Sequence, residues 1–561
     1  MIPILALAWA LHATPEALEL RSEGGQGLNL LPVLWVAEGA GRARPYRFLH
    51  DPATLTGVVI TPRAEYRLRT VVEAGLVRQT LEIKDLVAWE VGEESLAWTL
   101  PRGPVEALDR AYRFGPQKAL VVGPETPIVA RVADVLLEGG RGANGLRIHG
   151  GELRLEHDHR GHHPFRVYPE CTETPQNTLP SRLRDTSPRP AGLEHRMTFT
   201  WRPGARVFAV PSRFPQRFQA ALALTDHADQ ARIDRSAAFA YGREDWRAGR
   251  AAGEGFVGRG LGFTKSVFLA PAPGYAPQFG DPDFTDLLRA LQADGVEIGV
   301  HSPSGRRDTP TFTDLRLTDF RKEFKGVTWI DHGPADNCEA LTNQGADPQS
   351  PWYLVPVLHH HGFTTAWMIP DQPVGPGANL LRPHLPAERA PVIFRHPRLP
   401  LRLFATTWLY GPRSQLLRRY RPSELDRLQA DFGVSIGHVY LDTFRETGKG
   451  AERTLLEKGP EGLRLRADVG RWFDDLAQRQ KAGALWVTGV GPLADHLEAA
   501  LRVDPTYGPQ GIEIKEKVPG LTLLVHAPGE VPGATRLNGW WATDQMAIAV
   551  PMEIPEIGVV R

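Results

Sequence analysis

Cysteine is almost absent from this chain: Cys171 and Cys338 are the only two in 561 residues. They stand far apart, so a disulfide scaffold and a C-x-x-C motif are both excluded. An excess of charge of one sign is missing as well, with 65 Lys+Arg against 65 Asp+Glu. No basic stripe is there to neutralise phosphates, and no polybasic run is there to meet anionic lipid. Nucleic acid and a membrane surface are therefore not expected as partners. Long apolar runs are lacking too, and none approaches the ~20 residues that span a bilayer. Ile2 to Leu11 is apolar but short, and no basic residues precede it. Ala8-Trp9-Ala10 nonetheless fits a small-x-small cleavage site. Residues 1–13 read as a candidate signal peptide, with export to the periplasm, cell surface or medium as the expectation and a cytoplasmic location as the alternative.

What is present is an ordinary globular composition, 42% hydrophobic and 23% charged, with 56 glycines and 49 prolines for many turns. Residues 14–205 read as a β-rich, sandwich-like accessory domain. Val77-Arg78-Gln79-Thr80-Leu81-Glu82-Ile83 alternates as a half-buried strand does. Leu146–His149 and Leu153–Glu156, split by Gly150-Gly151, read as a hairpin. Within this region His157-Asp158-His159-Arg160-Gly161-His162-His163 gathers four imidazoles and a carboxylate, either a metal site or a solvated loop. Cys171–Pro190 is rich in Thr, Ser and Pro and reads as a long loop.

From residue 206 apolar strands alternate with helical patterns, the βα grammar of a parallel sheet or barrel, and this continues to 505. Residues 506–561 return to strand-like alternation and read as a small C-terminal β segment. The strands of the middle region stop at polar residues. Ala221-Leu222-Ala223-Leu224 runs into Thr225-Asp226-His227-Ala228-Asp229. Gly295-Val296-Glu297-Ile298-Gly299-Val300 ends on His301, Val327–Ile330 on Asp331-His332, and Val434–Gly437 on His438. Parallel strands share one C-terminal face, so these groups must converge there. Converging imidazoles and carboxylates are what a catalytic metal needs: about three protein ligands and a water.

The order of these motifs resembles the polysaccharide deacetylase family, also called the NodB-homology or carbohydrate esterase family 4. Its strand ending T-F-D-D is approximated by Thr225-Asp226-His227-Ala228-Asp229, and its H-S/T-x-x-H/S motif by His301-Ser302-Pro303-Ser304-Gly305. Gly362-Phe363-Thr364-Thr365-Ala366-Trp367 and Ile436-Gly437-His438 resemble its later motifs. The resemblance covers roughly residues 215–500. It departs at Gly305, where a second metal-binding histidine is usual, and at His227, where the second aspartate is usual. An Arg-Pro loop is replaced by Asp331-His332-Gly333-Pro334.

The resemblance implies a (β/α) barrel of NodB type, flanked by the two β regions. It implies a metal-dependent hydrolase, with zinc as the metal, that removes N-acetyl or other acyl groups from a polysaccharide or amino sugar. Asp226 would be the general base and His438 the general acid. His227, Asp229, His301 and His332 would supply the metal ligands, and Trp367, Trp408 and Ser302 would contact substrate. The alternatives are a catalytically lapsed barrel that binds carbohydrate, another metal-dependent amidohydrolase, or a glycoside hydrolase. The last needs two opposed carboxylates, and histidine dominates these strand ends.

Overall fold

Period-two alternation up to Pro203 folds into antiparallel strands. The computed structural model describes residues 9–561 apart from 24–26, 74, 102, 160–165, 168–181, 184–188, 248–253, 271–276, 306, 333–336, 368–376, 385–391, 397–398, 410–411 and 444–450. One sheet orders its six strands as 120–122, 145–149, 152–159, 91–99, 33–38 and 44–47. A second has nine strands and includes 194–203, 76–85 and 64–73 side by side. Leu34, Leu96 and Leu155 of the first sheet share one buried cluster with Leu68, Leu81 and Phe199 of the second. That shared core makes the two sheets a sandwich. Trp9–Ala13 is itself a strand, paired antiparallel with Leu18–Ser22 and parallel with Ile557–Val560. The cleavage site expected at Ala8-Trp9-Ala10 thus falls at the start of a strand whose Leu11 is fully buried.

The middle of the chain carries a sheet whose strands run parallel except for β6. They are β1 (Ala220–Asp226), β2 (Thr264–Val267), β3 (Glu297–Val300), β4 (Thr328–Trp329), β5 (Thr365–Trp367), β6 (Ile393–Arg395), β7 (Arg402–Phe404), β8 (Thr407–Trp408) and β9 (Val434–Val439). Their order in the sheet is β6-β7-β5-β4-β3-β2-β1-β9-β8, with β10 (Leu485–Thr488) pairing the first half of β1. All seven residues of β1 are buried, as befits a strand covered on both faces. Eight helices accompany these strands among the described residues: α1 (Ile233–Tyr241), α2 (Pro282–Ala293), α3 (Pro310–Glu323), α4 (Val355–His360), α5 (Arg413–Arg419), α6 (Pro422–Ala430), α7 (Ala467–Lys481) and α8 (Val490–Ala500).

The expected (β/α) barrel of NodB type does not form. Among the described residues strand outweighs helix, 37% against 19%, and the parallel strands make only a curled half-barrel. The reason is visible in the strands. β4 and β8 have two residues each and β5 and β7 three, too few for long ladders. β6 runs antiparallel to β7. Between β4 and α4 the described chain, residues 337–354, contains no helix. The regular strand-helix alternation that closes a helix-ringed barrel is therefore interrupted.

At the C-terminal end, Leu523–His526 pairs antiparallel with Phe208–Pro211 and Trp540–Thr543, so the last region is tied back to the segment that precedes β1. One buried cluster joins Leu108 and Tyr112 of the sandwich, Ala221 and Ile436 of the half-barrel, and Leu524 and Trp540 of the C-terminal sheet.

Candidate metal centre

Strand periodicity decides which side chains can meet. Leu222 and Leu224 of β1 pack with Phe239 of α1, whereas Ala221 and Ala223 pack with Ile436 and Trp367 on the other face. Continuing this alternation sends Asp226 to the helix side and His227 to the inner side. The register holds past the end of β1, because His227 N–H donates to the Val439 carbonyl at 3.0 Å.

On the helix side, Asp226 is fully engaged. Lys265 Nζ lies 2.6 Å from Oδ2, and Leu441 N–H donates to Oδ1 at 2.7 Å. The same ammonium reaches Asp442 at 3.0 Å, and Ser236 Oγ donates to Asp442 at 2.6 Å. Burial pushes the Asp226 carboxyl up from its ordinary value while Lys265 pulls it back. Sequence reading did not single out Lys265 or Asp442. The available signal was a lysine in Phe263-Thr264-Lys265-Ser266-Val267-Phe268-Leu269, a charge that a buried strand tolerates only with a partner.

The inner side gathers the imidazoles. Asp229, in the single turn Ala228–Gln230, has Oδ1 2.8 Å from His332 Nε2 and Oδ2 3.2 Å from His301 Nε2. Ligand atoms of His227, Asp229 and His301 all lie within 4.8 Å of one another. The His227 and His438 rings stack at 3.7 Å and 16°. Trp367 meets both edge-on, at 4.9 and 4.8 Å, and its Nε1–H donates to Thr406 Oγ1 at 2.9 Å. It is a buried wall of the site, not an open stacking platform. Ser302 is also buried; its Oγ accepts the His332 backbone N–H at 3.0 Å. Its φ is +54°, a left-handed backbone next to His301 that a non-glycine residue adopts at a cost. The Trp408 side chain lies outside the described residues.

Gly305 leaves room for the His332 ring. Its φ is +65°, and a Cβ there would lie 3.3 Å from His332 Nδ1 and 3.2 Å from the Phe268 ring. His332 thus packs against Gly305, where a side chain would crowd it. The protonation states also suit a cation. Burial would raise Asp229, but His301 and His332 hold it far below the usual carboxylate range. Burial lowers His301 to about 4 and His227 well below its ordinary value, each helped by neighbouring imidazoles. Asp229 is thus an ionised carboxylate beside two neutral imidazoles, His227 and His301, the form in which these groups ligate metal. His301 Nδ1 is buried without a hydrogen-bond partner among the described residues.

Elsewhere, His157 and Asp158 are placed in the sandwich, and the rest of that cluster, with the His159 side chain and Cys171, lies outside the described residues. Cys338 is disulfide-bonded.

No family model matches the chain, and no curated protein does. Solved structures with some likeness include the GH36 alpha-galactosidase AgaB from Geobacillus stearothermophilus, 8% identical over 98% of this chain and 87% of that one, with a TM-score of 0.30. A polysaccharide lyase is 8% identical over 40% of this chain, with a TM-score of 0.21, and only 36% of the lyase's length is spanned. Both are carbohydrate-processing enzymes and neither is a deacetylase, and at these scores they decide nothing about this chain.

Proposed function

We propose that this protein is a metal-dependent hydrolase that removes an acyl group from the nitrogen of an amino sugar, free or within a polysaccharide. The observation that carries the reading is the Asp229 carboxylate set between His301 and His332, with His227 beside it, at the ends of parallel strands. These four residues would hold the cation, and their nitrogen and oxygen donors suit zinc. Zinc bound there would polarise the acyl carbonyl and acidify a water.

The remaining work belongs to the chain. Asp226 faces the opposite side of the sheet with both oxygens taken, so it braces the tip of β1 against Lys265. Both proton transfers then fall to His438, which stacks on neutral His227 beside the donor cluster. Trp367 closes one flank and keeps water from the stacked pair. The disulfide at Cys338 supports export, because such bonds persist in oxidising compartments.

The test combines metal analysis with acetate release from N-acetylated chito-oligosaccharides. Protein equilibrated with zinc should retain about one ion per chain, His301→Ala and Asp229→Ala should lose it, and chelation should stop acetate release. His438→Ala should keep the ion and lose ~10²–10⁴-fold in rate on amide and ester substrates alike. A folded wild-type chain that retains no metal overturns the centre. One that holds metal but releases no acetate from any N-acylated sugar overturns the substrate assignment.

A further inference from the structure

A cavity of about 370 Å³ lies between the sandwich and the half-barrel and shares no lining residue with the metal centre. Its polar wall comes from the strand Glu152–His159. That strand pairs antiparallel with Val91–Thr99, but the register slips. Asp158 lies opposite Glu94 and Glu156 lies opposite Ser95, leaving His157 with no opposite number. This is a β-bulge. Neighbours on a regular strand point to opposite faces, and a bulge re-aims them, so His157 and Asp158 both line the cavity.

Both side chains are more than nine-tenths buried. His157 Nδ1 lies 2.8 Å from the Gly142 carbonyl, which can only accept, so Nδ1 carries the hydrogen. Burial lowers this imidazole's pKa, which keeps the ring neutral and makes Nε2 an acceptor. Among the described residues nothing bonds Nε2. The Asp158 carboxylate likewise accepts no hydrogen bond from them, and its nearest cation is Arg189 at 3.8 Å. Arg189 is already committed, at 2.6 Å to Glu94 and 2.8 Å to Asp85. The opposite side sets an apolar patch, Phe394 from β6 and Leu497 and Ala494 from α8, among Arg395, Arg402 and Arg502, which pair with Glu498.

We propose that this cavity binds a single neutral sugar unit. A pyranose has one apolar face for the Phe394–Leu497 wall and hydroxyl groups that can donate to His157 Nε2 and Asp158. A wholly apolar ligand would leave those two acceptors buried and unpaired. An anion would meet Asp158, and the arginines of the cavity already hold carboxylates: Arg189 pairs with Asp85 and Glu94, and Arg395, Arg402 and Arg502 pair with Glu498. The volume lies near the small end of ligand pockets, about 300–1,000 Å³, which suits a single sugar unit and not a polymer. The inference does not depend on the chemistry proposed for the metal centre.

Calorimetry and saturation-transfer NMR on the full chain test it, with glucose, galactose, mannose and N-acetylglucosamine as probes and glucuronate as the anionic control. At least one neutral sugar should bind saturably and glucuronate should bind more weakly. Asp158→Asn and His157→Gln should weaken binding at least tenfold. Leu497→Trp, which fills the cavity, should abolish it, while Asp229→Ala should leave it intact. Circular dichroism confirms that each variant is folded, and the near-isosteric Asp158→Asn keeps the test decisive if Leu497→Trp is not. No saturable neutral sugar overturns the proposal. So does binding that is unchanged in Asp158→Asn, or binding that disappears in Asp229→Ala.

Discussion

Glu339 is a carboxyl with almost no water around it, and that fixes a pH dependence for the whole fold. It is 1% exposed, and burial pushes it up to about 9, with Asp308 and Asp331 adding like charge. The ordinary value is 4.5. Between about pH 5 and 9 the folded chain keeps this proton and the unfolded chain has lost it. Stability therefore falls as pH rises through that window, by up to ~1.4 kcal/mol per pH unit from this one group. Thermal unfolding followed from pH 6 to 9 should show the midpoint dropping, and Glu339→Gln should flatten the slope and raise the midpoint at pH 9. An unchanged slope in the variant would assign the effect elsewhere. Single residues show how far the sequence could be read. His301, His332 and Asp229 announced themselves because polar groups at the ends of apolar strands are conspicuous. The roles given to Asp226, Ser302 and Trp367 did not transfer so readily, since each depends on which face a side chain takes and on partners distant in sequence. Lys265 and Leu441, which occupy Asp226, are 39 and 215 residues away from it.

Among elements, the strand tips are tied to one another, and in the proposed centre these ties would set where the ligands stand. Ser302 follows β3 and His332 follows β4, and the 3.0 Å bond from the His332 N–H to Ser302 Oγ links the two tips. Ser302→Ala removes the acceptor of the His332 N–H. Groups that hold ligands in place are typically worth ~10–100-fold in metal affinity. Competition with a fluorescent zinc chelator should show a loss of that size in Ser302→Ala with the fold retained. An affinity within about threefold of wild type would make the bond incidental. Most strands and helices of the middle region were legible from period and apolar content. β1, β3 and β9 begin within a few residues of where the pattern starts. The half-barrel was not legible. Leu401–Trp408 reads as one strand but divides into β7 and β8 around Ala405 and Thr406, and Val327–His332 yields only the two residues of β4. Strand length and curl depend on pairing partners, and local pattern does not record them.

At the scale of the whole molecule, the three regions share a core and one buried cation fastens them. Arg213, fully buried between the sandwich and β1, donates Nε–H to the Glu125 carbonyl at 2.8 Å and Nη2–H to Thr126 Oγ1 at 2.7 Å. Its Nη1–H donates to the Phe432 carbonyl of the half-barrel at 3.0 Å, and its guanidinium lies 4.2 Å over the Tyr112 ring. Tyr112 OH donates to the Pro211 carbonyl at 3.0 Å, and Trp540 Nε1–H of the C-terminal sheet donates to the Tyr112 carbonyl at 2.8 Å. Sandwich, half-barrel and C-terminal sheet therefore meet around one side chain in a cluster that none of them completes alone. Such a junction couples their unfolding, so the wild-type chain should melt in one calorimetric transition despite its length. Replacing Arg213 with methionine keeps the apolar stem but leaves two buried carbonyls and a threonine hydroxyl without their donor. Each such group costs ~1–3 kcal/mol. The variant should lose roughly 3–6 kcal/mol, and its calorimetric trace should broaden or split as the sandwich and half-barrel begin to melt separately. A single sharp transition at the wild-type midpoint in Arg213→Met would mean that the apolar cluster alone holds the three regions together.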